Sequence, residues 1–276
     1  MAIVFKVKPW YKKSGGLSIV PFSTGTDAQI AAMLDAYYNN EITWQEMGWA
    51  VGDTRLIHFD AMQEANPNSG STRAAQDMTI VIVAHDHTPL ASAINGHSNA
   101  CITVQTREIM SGGFIFINGN SSRDSYFTKW SNLYMRTYMN NTVLGAIPSG
   151  DFKSAIKQSK HYRHTTYNGT ASEEVTDTLF LPSYPEIFGT ESYSYYVATN
   201  PVEGTQFDYY ATASNRIKYV NNNGVPSASA QYWWQGSASS FYDTSDRYCW
   251  CRVRSDGGSS FGDGTSNGGL APAWAM

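Results

Sequence analysis

Residues 247–256 read RYCWCRVRSD, and this stretch decides what the rest of the chain is expected to be. Period-two alternation places Cys249, Cys251 and Val253 on one face of a strand, and Tyr248, Trp250, Arg252 and Arg254 on the other. The first set suits a core and the second suits contact. Around this strand, 24 of the 34 residues from Gly236 to Gly269 are Gly, Ser, Asp, Thr, Tyr or Asn, so the flanks read as loops. QYWWQ (231–235), RYCWCRV (247–253) and LAPAWAM (270–276) interrupt them as apolar strands, anchors that disordered low-complexity sequence lacks. The flanks add Phe241, Tyr242, Asp243, Asp246, Asp256, Phe261 and Asp263. Rigid aromatic side chains among small polar ones are the mixture that paratopes use. The ligand-binding set expected is therefore Tyr242, Asp243, Tyr248, Trp250, Arg252, Arg254, Phe261 and Asp263, forming one exposed surface. On that reading Trp250→Ala and Arg252→Ala abolish binding without disturbing the fold. The plainer alternative is that the aromatics cover the sheet and the loops are solvated filler. Trp233, Trp234 and Trp274 read as anchors of the fold.

Outward from this region, the last Glu is Glu203 and the last Lys is Lys218. Upstream, Thr26 with Gln29 forms a capping box before Ile30, Met33, Leu34, Tyr37 and Tyr38, which predicts a helix with one apolar face. Strands are predicted over 55–59, 78–84 (MTIVIVA, apolar throughout and so buried), 114–117 and 178–183. A second helix is predicted within 125–141, and a third through Asp151, Phe152 and Ile156 with Ser149 as N-cap. PEIFG (185–189) ends on a helix-terminating glycine.

The 276 residues suffice for one large domain or two small ones. Only 15% are charged while 14% are aromatic, and a formal charge of −4 gives no electrostatic reason to expect nucleic acid or an anionic membrane. No apolar run reaches the roughly 20 residues of a membrane span, and the N-terminal apolar run is too short for a secretory signal, so a soluble, cytoplasmically synthesised protein is expected. Three cysteines, two of them in C-W-C spacing, argue against a disulfide framework or a zinc site. Neither a metal nor another cofactor is expected.

Candidate chemistry is sparse. His85 and His87 point the same way from a strand end, but no third ligand follows at a recognisable spacing, and a polar strand end with Asp86 capping a turn is preferred. His161 and His164, with Tyr162 and Arg163, could form a basic cluster for phosphate or an acidic glycan; a solvated strand or helix end is preferred. No nucleophile elbow, phosphate loop or zinc-protease motif occurs, so no catalytic residue is assigned.

Several segments, taken in order, resemble a domain family of phages and prophages of gut Firmicutes. They are IAAMLDAYYNNEITWQEMGWAVGDTR (30–55), AHDHTPL (84–90), ACITVQTREIM (100–110), WSNLYMRTYMN (130–140) with AIPSGDFKSAIKQ (146–158), DTLFLPSYPEIFG (177–189), GTQFDYYATASNRIK (204–218), QYWW (231–234) and GLAPAWAM (269–276). The resemblance implies an α+β, C-type-lectin-like fold: a mixed sheet with two or three helices and a long loop-rich C-terminal region, similar to the variable proteins of diversity-generating retroelements. It implies a domain over 26–276 with display loops at 236–269, preceded by an arm over 1–25 for docking or oligomerisation. The implied function is a non-enzymatic virion protein, a tail or head-fibre adhesin that binds a host-surface polysaccharide or protein, alongside other virion subunits and as a homo-oligomer. A capsid or tail decoration protein is the alternative, and a glycan-acting enzyme a distant one. WWQGS stands where many members have an Arg-Ser pair after the two tryptophans, and the calcium-binding triplets of sugar lectins do not occur, so calcium-mediated sugar binding is not implied.

Overall fold

Thr26 opens the first helix, α1 (Asp27–Tyr38), by the predicted reciprocal box: its hydroxyl accepts from the Gln29 amide, and the Gln29 side chain accepts from the Thr26 amide. Ile30, Met33, Leu34, Tyr37 and Tyr38 are all buried. A second box, Thr43 with Glu46, starts the single turn α2 (Trp44–Met47), which Gly48 closes in the left-handed conformation. The structure is a computed structural model and describes residues 18–64, 71–111, 114, 129–165, 171–242, 248–264 and 266–276. Of the expected arm over 1–25, residues 1–17 lie outside the described residues. Phe22 is buried against Trp49, and Arg55 donates to the carbonyls of Phe22 and Gly25, so the end of that segment packs on the domain.

The fold is mixed α+β, mostly strands in several small sheets with few helices. The first half supplies β1 (Thr54–Phe59), β2 (Met62–Gln63), β3 (Thr72–Arg73), β4 (Gln76–His85), β5 (Pro89–Ile94), β6 (His97–Asn99) and β7 (Ile102–Thr106). After a 3-10 turn at Trp130–Asn132 come α3 (Tyr134–Tyr138), a π turn at Met139–Val143, α4 (Leu144–Ala146) and α5 (Asp151–Ser154). Then follow β8 (Ser159–His164), β9 (Ser172–Asp177), α6 (Tyr184–Phe188), β10 (Lys218–Asn222), β11 (Val225–Gln231), β12 (Trp233–Tyr242), β13 (Tyr248–Val253), β14 (Ser259–Asp263) and β15 (Ala273–Ala275).

A four-stranded antiparallel sheet runs β1-β4-β7-β15, and β12-β13-β14 form a three-stranded one. Alternation along β4 sends Met78, Ile80 and Ile82 into one hydrophobic cluster and Val81 and Val83 into another. The same two clusters lie on opposite sides of the three-stranded sheet: Trp234, Ala238 and Trp250 join the first, and Trp233, Cys251 and Val253 the second. β15 also divides them, with Trp274 in one and Ala273 in the other. The predicted terminal strand is thus integral. It bonds β7 along one edge, while Lys157 and Phe180 bridge to Ala275 and Ala273.

Three local expectations differ from the structure. Residues 178–183 form no strand; Phe180 alone bridges to Ala273, and Ser183 caps α6 instead, with Glu186 completing the box and Gly189 ending the helix. Gly150, not Ser149, precedes α5, and no side chain caps that helix. Of the strand predicted at 114–117 only Phe114 lies within the described residues, bridging to Gly268.

Candidate functional site

Among its described residues the segment 236–269, expected as display loops, is largely sheet. Its glycines and serines serve close packing. A Cβ at Gly236 would stand 2.6 Å from the Leu181 carbonyl oxygen, one at Gly268 2.3 Å from the Trp234 indole nitrogen, and one at Gly269 2.7 Å from the Tyr232 carbonyl. Gln235, Ser237 and Ser239 are buried as well. Small residues here let backbone and tryptophan rings approach, which composition alone cannot distinguish from a flexible loop.

Strand pairing assigns each expected site residue to a face, because residues directly opposite one another in an antiparallel pair share a side. Arg252 faces Trp234 and Ser260, and Trp250 faces Ala238 and Gly262. On the other side Cys251 faces Phe261, and Cys249 faces Asp263. The expected single surface is therefore split: Phe261 and Asp263 share the face of the cysteines, not that of Arg252. Trp250 is a second correction. It is 1% exposed, 6.1 Å from the Trp130 ring, because the segment carrying Trp130 covers that part of the face. Cys249, Cys251 and Val253 are buried as predicted. Tyr242 and Tyr248 pair across β12 and β13, but their side chains, with all of Asp243, lie outside the described residues.

What reaches solvent is an aromatic and arginine margin. Arg252 is half-buried, its Cζ 4.6 Å from the Tyr232 ring centre and 5.8 Å from that of Trp234. A Cβ at Gly262 would meet its guanidinium at 2.8 Å, so glycine there makes room for the charge. Burial lowers the Arg252 pKa from its ordinary value, opposed by Tyr232, Cys249 and Tyr193. Tyr232 is 40% exposed. Arg254 is exposed and pairs with Asp256, its Nε donating at 3.1 Å. On the opposite face Phe261 meets the edge of Tyr195 at 4.9 Å, and Tyr195 in turn meets Tyr193. Tyr193 and Tyr196 stack on Tyr184.

The cluster read as solvated, His161 to His164, is instead interior. Arg163 is fully buried in β8, its Nη2 donating to the Leu181 carbonyl and Nη1 lying 3.8 Å from the Glu186 carboxylate. Glu203 accepts from the His164 amide at 2.8 Å and from the Ser237 hydroxyl at 2.5 Å. Desolvation raises the Glu203 pKa and Arg163 opposes it; desolvation and then Arg163 lower that of His161. These charges bind α6, β8 and β12 together. Sequence reading missed them because their partners are distant along the chain. The S-Y-P-E capping signature at Ser183–Glu186 was the one local signal for part of the network.

At the His85-Asp86-His87 segment β4 ends at His85, as the preferred reading has it, and the hydrogen bonds of Asp86 run through its backbone, to Cys101 and Asn99. Asp86 has a left-handed backbone, His85 stacks on Trp44 at 4.5 Å, and His87 shares a hydrogen bond with Thr205 at 2.9 Å. Among the described residues no group of three or more His, Cys, Asp or Glu side chains could hold a metal ion, and no helix is long and apolar enough to cross a membrane.

No curated protein and no solved structure matches the chain. The family described as Domain of unknown function (DUF6273) matches residues 90–275, more than half of the chain and all of β12 to β15, and the chain belongs to that family.

Proposed function

We propose that this is a non-enzymatic attachment protein of a phage-type virion, with a C-type-lectin-like architecture, that binds a host-surface polysaccharide or protein through the margin of the β12-β13-β14 sheet. The observation that carries the reading is the placement of Tyr232 and Arg252. Both are anchored to a sheet packed on each side by buried tryptophans, yet Tyr232 remains 40% exposed and Arg252 half-buried. Aromatic and arginine side chains held rigid at a surface lose little entropy on binding and supply most of the energy where they act as hot spots. The interior Glu203 carboxylate accepts hydrogen bonds from the β8 backbone and from Ser237 of β12, joining elements of the fold, which favours a structural role for it over catalysis.

Attachment of purified, labelled protein to candidate host cells tests the reading. Wild-type protein is expected to bind saturably, and Tyr232→Ala to weaken binding while leaving the circular dichroism spectrum intact. Equal binding by wild type and variant would reject this face.

One observation favours the decoration role as a second reading. Leu56 and Val225 are 56% and 61% exposed, and a Cβ on Gly224, beside Val225, would lie 3.5 Å from Leu56. An apolar pair of this kind suits contact with a neighbouring subunit. Particles that fail to assemble with Leu56→Ser and Val225→Ser, but assemble with Tyr232→Ala, would favour it.

A further inference from the structure

Most arginines among the described residues meet a carboxylate, as Arg107 does with Glu108. Arg55, Arg136, Arg163 and Arg216 each meet a carboxylate, from Asp27, Asp177, Glu186 and Glu191 respectively. Arg254, at the surface, pairs with Asp256. Arg252 is different: among the described residues no carboxylate meets it, and its guanidinium lies over the Tyr232 and Trp234 rings, where a Cβ on Gly262 would crowd it. Its Nε is enclosed and has no hydrogen-bond partner among the described residues. A desolvated cation with an unmet donor is costly. The packing around it nevertheless holds the guanidinium in one place.

We infer that Arg252 is the anchor for an oxyanion of the ligand, a carboxylate or a phosphate group, received on a guanidinium that Tyr232, Trp234 and Gly262 hold in position. A planar guanidinium presents parallel donors that match the two oxygens of either group, and an aromatic beneath it fixes the plane. The formal charge of −4, with no lysine after Lys218, supplies no long-range field to collect a polyanion. Recognition is therefore of a discrete anionic group at short range. With Arg254 neutralised by Asp256, Arg252 is the side chain that sets this contact. The inference deepens the attachment reading and rests on it for the ligand being a surface molecule; the anion contact itself can be measured without cells.

Gly262 provides a test that keeps the charge. An added methyl would stand within about 3 Å of the end of the Arg252 side chain, which can swing away without moving the backbone. Purified full-length protein is titrated with oligogalacturonate, with inorganic phosphate and with neutral maltohexaose, following arginine Nε–H and tryptophan indole resonances. The expected result is that at least one of the two oxyanions shifts the Arg252 signal and maltohexaose does not. Arg252→Gln and Gly262→Ala should each weaken that binding about tenfold or more, and Arg252→Lys should weaken it less. A response to oligogalacturonate alone identifies a carboxylate, and one to phosphate alone a phosphate. Silence of the wild type toward both anions, equal binding of maltohexaose, or unchanged affinity in both Arg252→Gln and Gly262→Ala would overturn the proposal. Cell attachment that persists undiminished in Arg252→Gln overturns the anchor and leaves the attachment reading standing; anion binding by a protein that attaches to no cell does the reverse.

Discussion

The β1-β4-β7-β15 sheet and the β12-β13-β14 sheet divide the same two hydrophobic clusters, yet they are built from different materials. The first relies at its centre, along β4, on Met78, Ile80, Val81, Ile82 and Val83, aliphatic side chains that fill space by bulk, with a single tryptophan, Trp274, at its β15 edge. The second relies on Trp233, Trp234 and Trp250 among buried serines and tightly approached glycines, Gly268 against the Trp234 ring, Gly236 against the Leu181 carbonyl and Gly262 against the Arg252 guanidinium. Bulk tolerates small errors of shape, whereas ring against backbone does not. The second sheet should therefore respond sharply to changes that leave hydrophobicity untouched, and it is also the sheet whose margin carries exposed aromatic and arginine side chains.

The strongest way to break this comparison is Trp250→Ala. Sequence reading had this residue at the contact surface, removable without cost to folding; its burial predicts a loss of about 3–5 kcal/mol, measured by denaturant unfolding. Retention of full stability would return Trp250 to the surface. Glu203→Ala should cost a similar amount, about 3–5 kcal/mol, by leaving Arg163 without one of its compensating charges. Gly236→Ala adds one methyl and no polarity. Because the nearest atom is a backbone oxygen, a loss of about 1–3 kcal/mol is expected, against little change for Gly262→Ala, where a side-chain end can yield.

A titration sharpens the comparison further. Lys218, buried beneath Trp233 and donating to the Thr106 and Arg107 carbonyls, has its pKa lowered to about 7 by desolvation, with Glu108 opposing. The unfolded chain, with a lysine pKa of 10.5, then holds more protons than the folded one between pH 7 and 10.5, so this group makes stability rise with pH across that window and has no further effect below about 7, where both states hold the proton. Lys218→Met, which keeps the stem packed, should flatten the difference in melting temperature between pH 7 and pH 9.5. The smallest effect belongs to Tyr232→Ala, expected within about 0.5 kcal/mol of wild-type stability because the ring lies at the margin.

How much of this was legible follows from the same contrast. The capping box at Thr26, the apolar face of α1 and the buried run of β4 all announce themselves through local period, and the structure agrees. The strand character of 236–242 and 259–263 did not, because glycine and serine mean flexibility in one context and tight approach in another. Nor could alternation within β13 tell which side of β14 would join it. The turn between them pairs Val253 with Ser259, and that registration puts Phe261 beside Cys251. The burial of Arg163 depends on Glu186 and Glu203, and no window spanning β8 alone contains both this charge and its partners.

Pairing of residues 273–275 with 103–105 has a consequence for how the chain is made. When β7 leaves the ribosome, its outer edge has no neighbour, and it acquires one only after some 170 further residues have been synthesised. Until then a hydrophobic face and a row of open amides and carbonyls stand exposed on the nascent polypeptide, the condition that invites mispairing between chains on the same polysome. Completion of this sheet must therefore wait until residues 273–275 have been made, and a ribosome stalled before them should yield an intermediate more prone to aggregate than the finished domain.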